Sequence, residues 1–265
     1  MNKILKVVFN LKILPSQIPH FKREILYLQH RGADVWHNHV VDDICLAGEH
    51  KSDLEEVSRQ GKNYRRYPRI QYRIEKLQGQ YFACLWGIAE GAEALEEFIY
   101  SGKLNQFSWM GKNYILRVQD SCTYRFNYPK MLNADNLYPF TLTHFLPFNE
   151  RRYQEFKSFY LFCEKLELIE LLIRDHISLL AEQLAWADFN SEQLIVRTLD
   201  LKGFNTVKYI PNQCERSLRF VSVDMKIGLN CQMPPGIAIG NMTSLGYGIL
   251  RPARQKQPGS LPNVL

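Results

Sequence analysis

The order in which strand-like and helix-like hydrophobic patterns follow one another is what most constrains the fold of the first 127 residues. Alternating or continuous apolar runs predict strands, and apolar residues three or four apart predict helices. The order is strand, helix, strand, strand, helix, strand, which is that of the ferredoxin-like fold also used by RNA-recognition motifs. The predicted strands lie at 3–9, 66–74 and 80–88, two β-rich runs at 104–109 and 112–126 complete the order, and the helices lie at 19–31 and around Ala92 to Gly102.

The second half of the chain repeats this order less regularly. A β-rich run at 136–146 precedes a long helical region that begins after Asn149, a residue type that caps helices well. We therefore predict an α+β protein with two tandem ferredoxin-like, RRM-like domains, at residues 1–127 and 128–251, and a disordered tail at 252–265. Further strands are predicted at 193–200, 204–210 and 216–226, and a glycine-rich loop at 228–248 precedes a last short strand.

Composition indicates an ordinary globular protein. Hydrophobic residues make up 46% of the chain, and no apolar run reaches the roughly 18–20 residues that span a bilayer. The six cysteines are scattered singly, which is typical of reduced, buried thiols rather than of disulfides or a zinc site. We expect a cytoplasmic protein whose N-terminus is a first strand rather than a signal segment.

Basic residues cluster although the net charge is only +6. Residues 59–76 contain seven basic side chains and one acidic side chain, Glu75, and residues 189–265 contain nine basic and four acidic ones. Such clusters favour a polyanionic partner, and an ordinary solvated surface is the alternative.

Two histidines lie two positions apart, at His37 and His39. In an extended chain their imidazoles would share one face about 6.5–7 Å apart, which suits a base and an acid acting on two sides of one phosphodiester. The ordinary pKa of a histidine side chain, near neutrality, fits that role. A metal pair, with nearby aspartates as further ligands, and plain surface histidines are the alternatives.

A tyrosine- and arginine-rich segment follows. Arginine guanidinium groups bind phosphates in a bidentate manner, and tyrosine rings stack on bases. Alternation predicts a half-buried strand with Ile70 and Tyr72 facing inward and a basic outer face. The candidate RNA-binding residues are Tyr64, Arg65, Arg66, Arg69 and Arg73, and a solvated strand face whose tyrosines fill the edge of the core is the alternative.

The glycine-rich loop near the C-terminus is a second candidate RNA-binding element. Glycine permits a positive φ and a close backbone approach, so that amide groups could line a phosphate path. The loop has no nucleotide P-loop pattern, and an ordinary turn would have similar composition. Its candidate residues are Gly236, Gly240, Asn241, Ser244, Gly246 and Gly248.

Taken in order, these motifs resemble those of the CRISPR repeat-processing endoribonucleases of the RAMP superfamily. The resemblance is to the branch in which an H-N-H segment precedes Y-R-Y-P-x-I-Q-Y, and it covers most of residues 1–251. The matching segments are 37–39, 64–72, Gly87 to Gly91, Leu146 to Asn149, and the terminal glycine-rich loop. Asn241 and Leu245 stand where the family usually has basic residues, so the loop is less cationic here.

The resemblance implies an antiviral-defence nuclease that processes pre-crRNA without a metal or other cofactor. The 2′-hydroxyl would attack the adjacent phosphate and leave a 2′,3′-cyclic phosphate, with His37 and His39 as the catalytic residues. The implied partners are CRISPR repeat RNA and a type I or type III effector complex, with no membrane. Two alternatives remain: a non-cleaving repeat-RNA-binding subunit of an effector complex, and a metal-dependent nuclease that uses the two histidines.

Overall fold

The computed structural model describes residues 2–29, 35–36, 67–126, 130–133, 135–186, 189–209 and 218–253. The predicted catalytic residues His37 and His39, the RNA-binding candidates Tyr64, Arg65 and Arg66, and the tail from residue 254 lie outside these ranges.

The first half forms a four-stranded antiparallel sheet in the order β2-β3-β1-β6. Two helices cover one face, and their apolar residues contact β1, β2 and β3. This is the ferredoxin-like arrangement that the sequence predicts. The elements are β1 (Asn2–Lys12), α1 (Ile18–Leu28), β2 (Ile70–Leu77), β3 (Gln80–Ile88), α2 (Glu90–Tyr100), β4 (Ser108–Trp109), β5 (Lys112–Asn113) and β6 (Val118–Phe126).

The predicted strand at 104–109 is largely wrong. Residues Lys103–Gln106 form a 3-10 turn, and within the predicted range only Ser108–Trp109 forms a strand, paired with β5 in a separate small hairpin. Leu104 and Phe107 are three residues apart and are both buried beneath the helices. Three residues is the repeat of a 3-10 turn, so burial of this pair favours the turn over a strand.

The second half forms another four-stranded antiparallel sheet, in the order β10-β7-β9-β8. Asn149 caps the first helix as predicted, because its side chain accepts a hydrogen bond from the Arg152 amide at 2.9 Å. The elements are β7 (Tyr138–Phe145), α3 (Glu150–Ser158), α4 (Phe162–Gln183), β8 (Val196–Tyr209), β9 (Leu218–Leu229) and β10 (Ile249–Pro252).

Two predicted boundaries in this half differ from the structure. The long helical region is two helices rather than one, separated at residues 159–161. The strands predicted at 193–200 and 204–210 are one strand, β8, whose pairing with β9 shifts register between Thr198 and Asp200 and between Leu201 and Gly203. A bulged strand interrupts the alternation of side chains, which is why one strand looked like two.

The two sheets have the same strand order when their strands are numbered within each half, and the predicted double ferredoxin-like fold is confirmed. They differ at the second connection. In the first half α2 joins β3 to β6, whereas residues 230–248 of the second half contain a glycine-rich loop with only a 3-10 turn, Thr243–Leu245. Within the described ranges, no helix has the length and apolar character needed to cross a membrane.

Two hydrophobic cores result. One lies between the first sheet and helices α1 and α2. The other contains the second sheet and α4, and it also includes Ile4, Phe82 and Trp86 from the opposite face of the first sheet. The halves are therefore joined by apolar contacts as well as by the chain.

Candidate functional site at the glycine-rich loop

The residue immediately before the histidine pair is fixed in the first core. Trp36 is buried, and its ring contacts that of Phe98 in α2 with centroids 5.2 Å apart. The described chain next to His37 is thus anchored on the helix-covered face of the first sheet. The positions of His37 and His39 themselves lie outside the described residues.

Arg69 connects the two halves of the molecule. Its Nε lies 2.7 Å from Oε1 of Glu90 at the start of α2, and its Nη2 donates to the Gln183 carbonyl at the end of α4, also at 2.7 Å. The last carbonyls of a helix have no partner within the helix and carry partial negative charge, so a guanidinium group stabilises them. Only 19% of the Arg69 side chain is exposed.

Arg73 is buried, with 2% exposure, which contradicts the predicted basic outer face of β2. Its Nη2 donates to the Gly236 carbonyl at 2.6 Å and also to Oε1 of Gln71, and its guanidinium lies 4.5 Å from the centre of the Trp86 ring. Burial lowers the pKa of this guanidinium to about 10. The alternation of β2 is real, but the glycine-rich loop covers the face that the sequence assigned to solvent.

Tyr67 completes this set of contacts. Its hydroxyl accepts hydrogen bonds from Nε2 of Gln71 at 2.8 Å and from the Ala238 amide at 3.3 Å, while its own amide donates to the Gln183 side chain. Burial raises the pKa of the hydroxyl, which therefore stays protonated. We call residues 67–73 the connecting segment, because they bind both the end of α4 and the glycine-rich loop.

The glycines of the loop are required by packing. Gly236, Gly240, Gly246 and Gly248 have φ values of 71°, 100°, 80° and 70°. A Cβ on Gly236 would lie 2.4 Å from the Trp86 ring, and one on Gly248 would lie 1.7 Å from the Ile239 carbonyl oxygen. The loop can therefore approach the first sheet and close on itself only without side chains at these positions.

Several loop amides already donate to protein carbonyls. The amides of Gly246 and Gly248 donate to Thr243 and His144, at 3.1 and 3.0 Å, and both the amide and the side chain of Asn241 donate to Leu146. The prediction that loop amides line an RNA path has no support at these three positions. The role of all six loop candidates in binding RNA stays a prediction: Gly236, Gly240, Asn241, Ser244, Gly246 and Gly248.

The structure brings Ser244 next to a lysine that the sequence analysis missed. Nζ of Lys22, in α1, lies 3.5 Å from Oγ of Ser244 and 5.9 Å from the centre of the Tyr72 ring. Lys22 is only 7% exposed. The available sequence signal was its position, four residues after Ile18 and three before Ile25, which places a charged residue on the apolar stripe of α1.

No protein-family model matches this chain, and no curated protein sequence matches it. Solved structures do match over almost the whole length. A Cas6b structure aligns with a TM-score of 0.66 at 14% identity, and the CRISPR RNA processing endoribonuclease Cas6b aligns with a TM-score of 0.56, also at 14%. The type IV Cas6 crRNA endonuclease Csf5 aligns with a TM-score of 0.57 at 12%. Each alignment covers 96% of this chain and 100% of the other, so the chain has the same double ferredoxin-like fold.

Proposed function

We propose that this chain is an endoribonuclease that binds CRISPR repeat RNA and cleaves the precursor transcript into guide RNAs. The observation that carries the proposal is the likeness of fold over the full length of both chains, because two of the similar structures are of CRISPR RNA-processing enzymes. The basic residues 59–66 and the H-N-H segment at 37–39 are the sequence features that agree with it.

The proposed reaction is an internal transesterification. One histidine of the pair His37 and His39 removes the proton from the 2′-hydroxyl, whose oxygen then forms a bond to the adjacent phosphorus. The bond from phosphorus to the 5′-oxygen breaks, and the other histidine protonates that leaving oxygen. The products are a 2′,3′-cyclic phosphate and a 5′-hydroxyl, and no metal or water takes part in the step.

We assign Lys22 to the phosphate in this reaction. It is a cation on α1 beside Ser244 of the glycine-rich loop, and a poorly solvated cation stabilises developing negative charge more strongly than one in bulk water. Lys22 would thus supply the positive charge that the loop lacks at Asn241 and Leu245.

Cleavage of a repeat RNA with excess enzyme in the presence of a chelator tests the proposal. We expect cleavage at one bond, and we expect a single 2′-deoxy substitution just 5′ of that bond to abolish it while binding persists. Cleavage only without chelator would instead indicate the metal-dependent nuclease. Binding without cleavage in any buffer would indicate the non-cleaving subunit.

Substitution of the histidines tests their role. His37→Ala or His39→Ala should slow single-turnover cleavage roughly 10²- to 10⁴-fold with little change in RNA affinity. His176→Asn is the matched control, because His176 lies on α4 in the second half. Equal cleavage by the double variant and the wild type would remove both histidines from the mechanism.

A further inference from the structure

A groove of about 520 Å³ lies on the face of the first sheet that the helices do not cover. Strands β1, β2, β3 and β6 form its floor. The start of the glycine-rich loop and β10, both from the second half, form a wall beside that floor. The residues that matter for its chemistry are Lys6, Arg73, Trp86, Tyr124 and Arg251. This groove is separate from the Lys22 and Ser244 contact, since Lys22 lies on α1, on the opposite face of the sheet.

The groove is basic. Among the described residues, four basic side chains line it, Lys6, Arg73, Lys76 and Arg251, against one acidic side chain, Glu75. Glu75 pairs with Lys6, whose Nζ lies 2.9 Å from its carboxylate, so these two charges offset each other, and Arg73, Lys76 and Arg251 supply the net positive charge. Within the described part of the chain, the Nε of Arg73 is buried and has no hydrogen-bond partner. A bound anion would therefore improve the charge balance of the groove.

An aromatic pair lies beside these charges. The rings of Trp86 and Tyr124 are nearly parallel, at 9°, with centroids 6.0 Å apart. Arg73 covers Trp86, whereas Tyr124 is only partly buried and lies on the edge strand β6. An aromatic face next to a cationic groove is the arrangement that binds the base and the phosphate of single-stranded nucleic acid.

We propose that this groove binds an unpaired nucleotide of the RNA, with the base stacked on Tyr124 and the phosphate held by Arg251. The proposal rests on the proposed function for the identity of the ligand as RNA. Because the groove and Lys22 lie on opposite faces of the sheet, the nucleotide bound here belongs to a single-stranded flank rather than to the scissile bond. The groove thus anchors the RNA at a second point.

Arg251 and Tyr124 allow a direct binding test. Fluorescence anisotropy with a labelled single-stranded uridine hexamer would measure the Kd of the full chain and its variants. Tyr124→Leu should weaken binding roughly 5- to 150-fold, the range for loss of one stacked base. Arg251→Ala should weaken binding several-fold. It should also make the slope of log K against log salt concentration shallower by about 0.7, the value for one phosphate contact in a single strand. The matched controls Tyr100→Leu and Arg219→Ala, which change exposed residues elsewhere, should bind like the wild type.

Two further measurements identify the ligand. A hexamer of abasic sugar-phosphates should bind more weakly than the uridine hexamer and should bind equally to the wild type and Tyr124→Leu. In wild-type protein, a hexamer containing 4-thiouridine should crosslink to the peptide that contains Tyr124, a result that does not depend on any variant folding. Displacement of the hexamer by a glutamate-rich peptide at similar concentration would mean that the groove binds acidic peptides and would overturn the proposal.

The proposal is also overturned if the wild type fails to bind the hexamer, if both variants bind like the wild type, or if crosslinks map only to other peptides. Cleavage of repeat RNA with such a result would leave the proposed function standing without the groove. Loss of binding in the variants of a protein that cleaves no RNA would leave the groove standing without the proposed reaction.

Discussion

The two halves of the molecule share a strand order but cover their sheets differently. The first half uses α2 (Glu90–Tyr100) between its third and fourth strands, whereas the second half uses the glycine-rich loop of residues 230–248. A helix needs a layer of side chains between itself and a sheet, and the loop does not. The loop therefore lies directly against β2 and β3 of the other half, with Gly236 on Trp86 and Gly246 on Arg73.

The difference shows that a glycine-rich loop in a protein of this fold has a packing role that must be separated from any role in binding RNA. The connecting segment shows the same for arginine, since Arg69 and Arg73 bind carbonyls of the second half. The following predictions test whether these contacts hold the halves together, in order of decreasing effect.

The largest effect is expected from a methyl group on Gly248. Gly248→Ala should lower the free energy of unfolding by at least about 3 kcal/mol, because the Cβ would overlap the Ile239 carbonyl and φ is positive. Gly79→Ala is the matched control, with a similar φ of 80° and nothing within 4 Å of the new Cβ, and it should cost about 1 kcal/mol. Urea unfolding measures both, and equal losses would refute a packing role for the loop.

The next effect concerns the buried arginine. Arg73→Ala should lower the free energy of unfolding by about 2–4 kcal/mol. The substitution leaves the Gly236 carbonyl and the Gln71 side chain without their donor, and it opens a cavity beside Trp86. Lys76→Ala, at an exposed position three residues along the same strand, should change stability by less than about 0.5 kcal/mol. If the two variants unfold at the same urea concentration, Arg73 does not join the halves.

A smaller loss is expected from Tyr67→Phe, which removes one oxygen. Two donors, Gln71 and the Ala238 amide, would lose their acceptor, at a cost of about 1–2 kcal/mol. Tyr81→Phe, at an exposed tyrosine of β3, should be close to neutral. Thermal unfolding followed by circular dichroism would compare them, and a neutral Tyr67→Phe would show that the hydroxyl contacts contribute nothing.

The smallest effect is a loss of stability at alkaline pH, and it comes from one buried cysteine in each half. Burial raises the pKa of Cys84 and of Cys231 to about 12. The folded state thus holds these protons more tightly than the unfolded state, so the stability they contribute is complete below pH 9 and is lost as the pH rises towards 12. Urea unfolding between pH 8 and 11 should show this decline, and a flat profile would contradict it.

The same two thiols should resist modification in the folded protein. At pH 8, a thiol reagent should label the exposed Cys163 and leave Cys84 and Cys231 unlabelled, as mapped by mass spectrometry. Both thiols lie in the second core, so rapid labelling of Cys231 alone would show that the second sheet opens more readily than β3 of the first half, and would sharpen the contrast between the halves.

Local signals were sufficient to predict most of the fold. The helical period of α1 and the Asn149 cap each depend on residues close in sequence, and the structure contains both. Errors arose where a distant contact or a register shift overrode the local pattern, as at Leu104 and in β8. The histidine pair stays a prediction, whereas Lys22 was found only from its contact with Ser244, 222 residues away in sequence.

The sequence by itself determined the order of the strands and helices, because their periods are properties of short segments. It also determined that Gln71 and Arg73 share one face of β2, since side chains alternate along a strand. Only the tertiary structure decided that this face is inside the molecule. Gly236 lies 163 residues after Arg73, and its carbonyl is the partner that makes burial of a guanidinium group tolerable. No pattern within β2 can indicate what a loop that far along the chain will cover.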